Sequence, residues 1–64
     1  MTGRQLKRKR LELKLTQRRL AELVGTTSYT ICRYENGLAI PFTTKLAFEK
    51  VLEDQERESR KAVA

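Results

Sequence analysis

The segment TTSYTICRYENG, residues 26–37, carries side chains that could bind a polar partner through hydrogen bonds. It contains hydroxyl, guanidinium and carboxamide groups, and a planar guanidinium can donate two parallel hydrogen bonds to one partner. On a helix, at about 100° per residue, one face brings these groups together. That face holds Ser28, Tyr29, Cys32, Arg33 and Asn36. The spacing predicts a polar binding face.

The opposite face of the same helix is expected to hold the fold together. Ile31 is its only aliphatic residue, so Ile31, Tyr34 and Thr30 are predicted to point inward. Glu35 then falls at the inner edge, where a carboxylate needs a partner. Arg10 lies on the otherwise apolar face of the first predicted helix. We therefore predict a buried, bidentate Arg10–Glu35 salt bridge with a structural role.

Positive charge is concentrated in the first half of the chain. The 64 residues include 14 basic and 8 acidic side chains, a net charge of +6. Residues 1–33 hold nine basic and two acidic residues, a net charge of +7, whereas residues 34–64 have a net charge of −1. Such a one-sided excess is typical of a protein that binds a polyanion, although a merely basic surface would give the same totals.

The composition argues against several other classes of function. The chain has no histidine, no glycine-rich phosphate loop and one cysteine, so we expect no enzyme activity, no metal and no cofactor. No apolar run approaches the roughly 18 residues of a membrane span, so we expect no membrane partner. A single free thiol suits a reducing compartment, which favours a cytoplasmic location.

Apolar spacing and capping residues predict an all-α chain, a compact bundle of four or five short helices. We expect helices over residues 4–14, 17–24 and 28–35, and a fourth that begins at Thr43 or Thr44. Thr16 and Thr27 are the expected N-caps of the second and third helices. Gly25 tolerates the left-handed backbone that ends the second helix. Residues 1–52 would form the folded domain, and the charged residues 53–64 would extend the fourth helix or be disordered.

The segment LTQRRLAELVGTTSYTICRYENG resembles the helix-turn-helix of the Cro/C1-type family, also called the Xre family, of phage and bacterial repressors. The resemblance covers about residues 4–52 and is carried by Leu15-Thr16-Gln17, Leu20-Ala21, Val24-Gly25, Ile31 and Glu35-Asn36-Gly37. The chain is similar to the short DNA-binding domains of lambdoid phage repressors. The resemblance implies a lambda-repressor-like fold, whose helix 28–35 enters the DNA major groove. It also implies a bacterial or phage-encoded, nucleoid-associated protein.

The resemblance implies a role for each matching position. Thr27, Ser28, Tyr29 and Arg33 match positions that read or flank bases, and Cys32 faces the same way. Arg33 is the best candidate for a bidentate contact to guanine. Gln17 and Asn36 match phosphate contacts, and nearby basic side chains would add charge along the DNA backbone. These are Arg8, Lys9, Lys14, Arg18 and Arg19.

The resemblance further implies a transcriptional regulator, usually a repressor, that binds a pseudo-palindromic operator as a homodimer. Leu38 and Ile40 either supply part of the dimer interface or pack back on Phe42 and the fourth helix. The family usually has a fifth helix with an apolar face, which residues 53–64 lack. The alternative function is a protein-interaction module of the same fold, such as an antitoxin or an antagonist of another regulator. Such a module would carry an apolar face on its third helix.

Overall fold

The computed structural model describes the backbone of residues 1–63 and the side chains of residues 1–60. The described residues form four α-helices and no strand, so the predicted all-α fold is confirmed. The helices are α1 (Gly3–Glu12), α2 (Gln17–Val24), α3 (Ser28–Glu35) and α4 (Phe42–Val63).

The helices α2 and α3 have the bounds that the sequence predicts, because short-range signals define both ends. The Thr16 hydroxyl accepts a hydrogen bond from the Arg19 amide at 3.0 Å. The Thr27 hydroxyl accepts one from the Thr30 amide at 3.3 Å. Gly25 ends α2 in the left-handed conformation, with φ 88°. The turn between the two helices is therefore fixed by its own residues.

The helix α1 ends at Glu12, two residues before the predicted end at residue 14. Leu13 is the C-cap, and Lys14 adopts a left-handed backbone with φ 57°. The Leu15 amide then donates to the Arg10 carbonyl at 3.0 Å, which reverses the chain toward α2. No glycine marks this helix end in the sequence. Because the residues up to Lys14 favour helices, the predicted helix was two residues too long at this end.

The prediction that Thr43 or Thr44 caps the fourth helix is wrong. The Pro41 carbonyl accepts the Lys45 amide at 2.9 Å, so the first helical hydrogen bond forms before either threonine. The helix α4 therefore begins at Phe42. It passes residue 52 without a break and continues to Val63, which is the helical alternative for the tail; residue 64 lies outside the described part.

Each helix contributes at least one fully buried side chain to a single core. The largest are Leu6, Leu20, Ile31, Phe48 and Leu52. The rings of Tyr34 and Phe48 meet edge to face, with centroids 5.9 Å apart and planes at 86°. This geometry is favourable for an aromatic pair and joins α3 to α4.

The start of α1 lies directly against the end of α3. A Cβ atom built on Gly3 would collide with the carbonyl oxygen of Tyr34. Only glycine permits this approach, which brings the positive end of the α1 dipole to the negative end of α3. The position of α3 is therefore fixed from the first turn of the chain.

None of the described helices combines the length and apolar composition that a bilayer crossing requires.

Candidate nucleic-acid interface

The outward face of α3 is polar, as its spacing predicts. Ser28, Tyr29, Arg33 and Asn36 are exposed, as is Thr27 at the N-cap. The Tyr29 side chain is 70% exposed, so it takes no part in the core. Ile31 and Tyr34 are buried on the opposite face and Thr30 is half-buried. A helix with one anchored face and one open, donor-rich face can present hydrogen-bonding groups to a ligand.

A buried ion pair anchors the end of α3, as predicted. Arg10 Nε donates to Glu35 Oε2 at 2.7 Å, and its Nη2 donates to Oε1 at 3.1 Å. The two side chains are 9% and 3% exposed. Arg10 Nη1 also donates to the Leu15 carbonyl at 2.8 Å. One guanidinium thus joins α1, the α1–α2 turn and α3.

Gln17 is a third member of this network, which the sequence did not predict. Its Nε2 donates to Glu35 Oε1 at 3.1 Å. A carboxamide nitrogen carries two hydrogens, so one N–H is left for another acceptor. Gln17 is the first residue of α2, where the helix dipole favours an anion. The network therefore uses one donor of Gln17, and no other hydrogen bond between described side chains uses the second.

Asn36 is the C-cap of α3, and its side chain contacts Cys32. Its Nδ2 donates to the Cys32 carbonyl at 2.8 Å and lies 3.3 Å from the Cys32 sulfur. Cys32 is half-buried, and so is less open than the outward face on which it was expected to lie. Asn36 itself is exposed, and its side-chain nitrogen is engaged in capping.

The guanidinium of Arg33 lies over the ring of Tyr29. The Cζ atom is 5.8 Å from the ring centroid, within the range of a cation–π contact. The two residues are four apart, which makes them neighbours on a helix surface. This pair occupies the middle of the exposed face of α3.

A family model described as "Helix-turn-helix" matches residues 6–51. The match covers most of the chain, including α2, the Gly25 turn and α3. The chain belongs to the Cro/C1-type helix-turn-helix family. This is a DNA-binding family and not a family of enzymes. Searches of curated proteins and of solved structures gave no significant match.

The helix-turn-helix carries two exposed arginines at the start of α2. Arg18 Nε lies 3.5 Å from Glu22 Oε1, and Arg19 Nη1 lies 3.3 Å from Glu22 Oε2. Their side chains are 86% and 58% exposed. Exposed pairs of this kind contribute about 0–1 kcal/mol, so both arginines can turn to another anion at little cost. Lys14 is also exposed, in the turn before α2.

Two of the predicted phosphate contacts, Arg8 and Lys9, lie on the side of α1 that faces α4. Both border a groove between α1 and α4 that also contains Glu53 and Glu56. Lys9 Nζ is 3.9 Å from Glu56 Oε1. Their direction depends on where α4 packs, which the sequence of α1 alone does not reveal. Both residues are exposed and have carboxylates of α4 nearby.

Two basic residues that the sequence analysis did not select lie near the end of α3. Arg4 and Lys45 border a cleft with Asn36, Gly37 and the loop that follows. Arg4 is adjacent to Gly3, whose contact with Tyr34 brings this part of α1 to the end of α3. No residue spacing within either helix gives this information, because it is the packing of α1 and α4 that brings the two residues to one cleft.

The two residues predicted for a dimer interface, Leu38 and Ile40, differ in their exposure. Ile40 is 8% exposed and joins the core, which is the packing alternative for this residue. Leu38 is 42% exposed. Two further apolar side chains of the helix-turn-helix domain are open on α4, with Phe42 73% and Leu46 49% exposed. Phe42 and Leu46 are four residues apart and so share one face of α4; these two and Leu38, in the loop before that helix, are called the α4 apolar patch below.

Proposed function

We propose that this protein is a sequence-specific transcriptional regulator, a repressor, that reads the major groove of its operator with α3. The observation that carries the proposal is the division of α3 into two faces. The inner face is fixed by the core and by the Arg10–Glu35 pair, and the outer face is open and polar. A rigid helix with exposed donors suits direct readout of base edges.

Arg33 supplies the main base contact in this proposal. A guanidinium can donate two hydrogen bonds to O6 and N7 of guanine, an arrangement worth about 1–3 kcal/mol of discrimination. Ser28 and Thr27 lie at the start of α3, the part of a recognition helix that approaches base edges. Cys32 borders the same surface and packs under Asn36.

Backbone contacts come from the elements around α3. The free N–H of Gln17 binds one phosphate at the start of α2, and exposed Asn36 flanks a second at the end of α3. Arg18, Arg19 and Lys14 supply charge without sequence information. Because each neutralised phosphate releases counterions, affinity should fall steeply with salt. Arg8 and Lys9 lie beside the carboxylates of α4, so in this proposal they contribute less charge to the DNA backbone than Arg18 and Arg19 do.

The regulator binds its operator as a homodimer in this proposal. Half-sites about 10 base pairs apart would place two recognition helices on one side of the DNA. The α4 apolar patch provides the contact between protomers, with Leu38 in it and Ile40 excluded by its burial. Phe42→Glu should weaken binding to a two-half-site operator far more than binding to a single half-site. Equal effects on the two DNAs would contradict this role for the patch.

Selection from a pool of random duplexes tests the central proposal. The expected result is one enriched motif, bound by a gel-shift assay with strong salt dependence. Arg33→Ala should relax the preference at one G·C pair. Arg18→Ala, the matched control, should weaken all duplexes alike and reduce the salt slope by about one. Failure to shift any duplex at low salt would reject DNA binding and favour the interaction-module alternative.

A further inference from the structure

We infer that Tyr29 is a positioning residue for Arg33. Its aromatic ring holds the Arg33 guanidinium in a position from which the guanidinium can donate to a guanine. This inference rests on the proposed function, since it assumes that Arg33 reads a base. The contact itself is present in the free protein, where Arg33 Cζ lies 5.8 Å from the Tyr29 centroid. Tyr29 is 70% exposed, so its ring is open to solvent on the reading face and is not needed for packing.

A comparison of Arg10 with Arg33 shows why an aromatic partner matters. Arg10 is held by its edge, since Nε, Nη1 and Nη2 all donate to oxygen atoms of the protein. Three of its five N–H donors are thus engaged inside the protein, and the side chain is only 9% exposed. A ring contact engages no acceptor oxygen, so it uses none of the hydrogen bonds that a guanidinium can donate. The donors of Arg33 along its edge therefore stay available, and none of the hydrogen bonds or ion pairs between described side chains uses them.

The contrast with Arg18 and Arg19 leads to the same conclusion. Both of these arginines lie beside the carboxylate of Glu22, which partly cancels their charge and must be displaced by a phosphate. Tyr29 carries no charge that would compete with DNA for Arg33. An arginine side chain also loses considerable rotamer freedom when it is fixed on a base. Stacking on Tyr29 removes part of that freedom before DNA arrives.

This arrangement predicts that the ring of Tyr29, and not its hydroxyl group, sets how well Arg33 discriminates. The test uses the duplex selected from the random pool and a second duplex with the Arg33-dependent G·C pair changed to A·T. The discrimination is the ratio of the two dissociation constants. We expect Arg33→Ala to reduce it by roughly 5- to 150-fold, the value of a bidentate arginine–guanine contact.

Tyr29→Leu should reduce the same ratio by about 2- to 5-fold, the strength of an exposed cation–π contact. Leucine keeps the helix propensity and removes the aromatic face. Tyr29→Phe should retain the wild-type ratio, because it keeps the ring. In the Arg33→Ala background, Tyr29→Leu should change the ratio no further. Thermal unfolding of each variant checks that the fold is unaffected, which is expected for so exposed a side chain.

Four results would overturn the inference while sequence-specific binding stands. These are an unchanged ratio in Tyr29→Leu, an equal loss in Tyr29→Phe, a further loss from Tyr29→Leu in the Arg33→Ala background, and a selected duplex with no position sensitive to Arg33. An equal loss in Tyr29→Phe would make the hydroxyl group the contact. If the wild-type protein selects no duplex at all, the proposed function fails and the inference fails with it.

Discussion

Glu35→Ala should destabilise the protein severely, because it leaves the Arg10 guanidinium buried without its counter-charge. The Arg10 side chain is only 9% exposed, and two of its three protein hydrogen bonds end on Glu35. Removing one partner of a buried pair costs about 3–5 kcal/mol. Gln17 would lose its contact with the same carboxylate.

The size of the domain makes this cost decisive. A domain of 64 residues is expected to have a total stability of roughly 3–10 kcal/mol. For so short a chain, each kcal/mol lowers the melting temperature by about 4–8 °C, so a loss of 3 kcal/mol means at least about 12 °C. Glu35→Ala should therefore melt at least about 12 °C below the wild-type protein.

Glu22→Ala provides the matched control. Glu22 also faces arginine, but its side chain is 53% exposed, so its removal should cost at most about 1 kcal/mol. Thermal unfolding followed by circular dichroism at 222 nm measures both variants. A third variant with Arg10→Met and Glu35→Leu removes both charges and should melt above Glu35→Ala, because no unpaired charge remains buried.

Two outcomes would refute this reasoning. If Glu35→Ala has the same melting temperature as Glu22→Ala, the Arg10–Glu35 pair does not hold α1 to α3. If the charge-free double variant melts below Glu35→Ala, the cost lies in lost hydrogen bonds and not in an uncompensated charge.

Three further substitutions test how the helices are joined. Gly3→Ala should cost roughly 1–3 kcal/mol, because its methyl group would collide with the Tyr34 carbonyl; an unchanged melting temperature would contradict this contact. Gly25→Ala should cost about 1–2 kcal/mol because of its positive φ, while Gly25→Asn should lose less; equal melting of the two variants would argue against backbone strain. Phe48→Ala should cost about 3–5 kcal/mol, measured as a lower urea midpoint; a loss near zero would mean that this fully buried ring is replaceable.

The sequence is most informative where neighbouring residues determine the structure. Thr16, Gly25 and Thr27 define the turn between α2 and α3, and each acts on backbone groups within a few residues of itself. The two faces of α3 follow from helical geometry alone. The Arg10–Glu35 pair was also predictable, because each charged residue is misplaced on an apolar surface unless the other is present.

Features that depend on helix packing could not be predicted in this way. The direction of Lys9 toward Glu56 follows from the path of α4 beside α1. The contact of Gln17 with Glu35 requires the relative placement of α2 and α3. The burial of Ile40 requires the core residues of all four helices, which its neighbours in the sequence do not specify.

The placement of charge links the stability of the fold to its ability to bind DNA. Glu35, at the end of α3, would repel phosphates if it were exposed. Its side chain is only 3% exposed, however, and its charge is balanced by Arg10. The negative charge of Glu35 is therefore neutralised inside the protein, where the carboxylate also accepts a hydrogen bond from Gln17. The same ion pair that holds α3 in place thus leaves Arg33 as the charged group on the open face of that helix. A substitution at Arg10 should for this reason weaken DNA binding even at temperatures where the protein stays folded, because it would leave the negative charge of Glu35 unbalanced in the helix that we propose faces DNA.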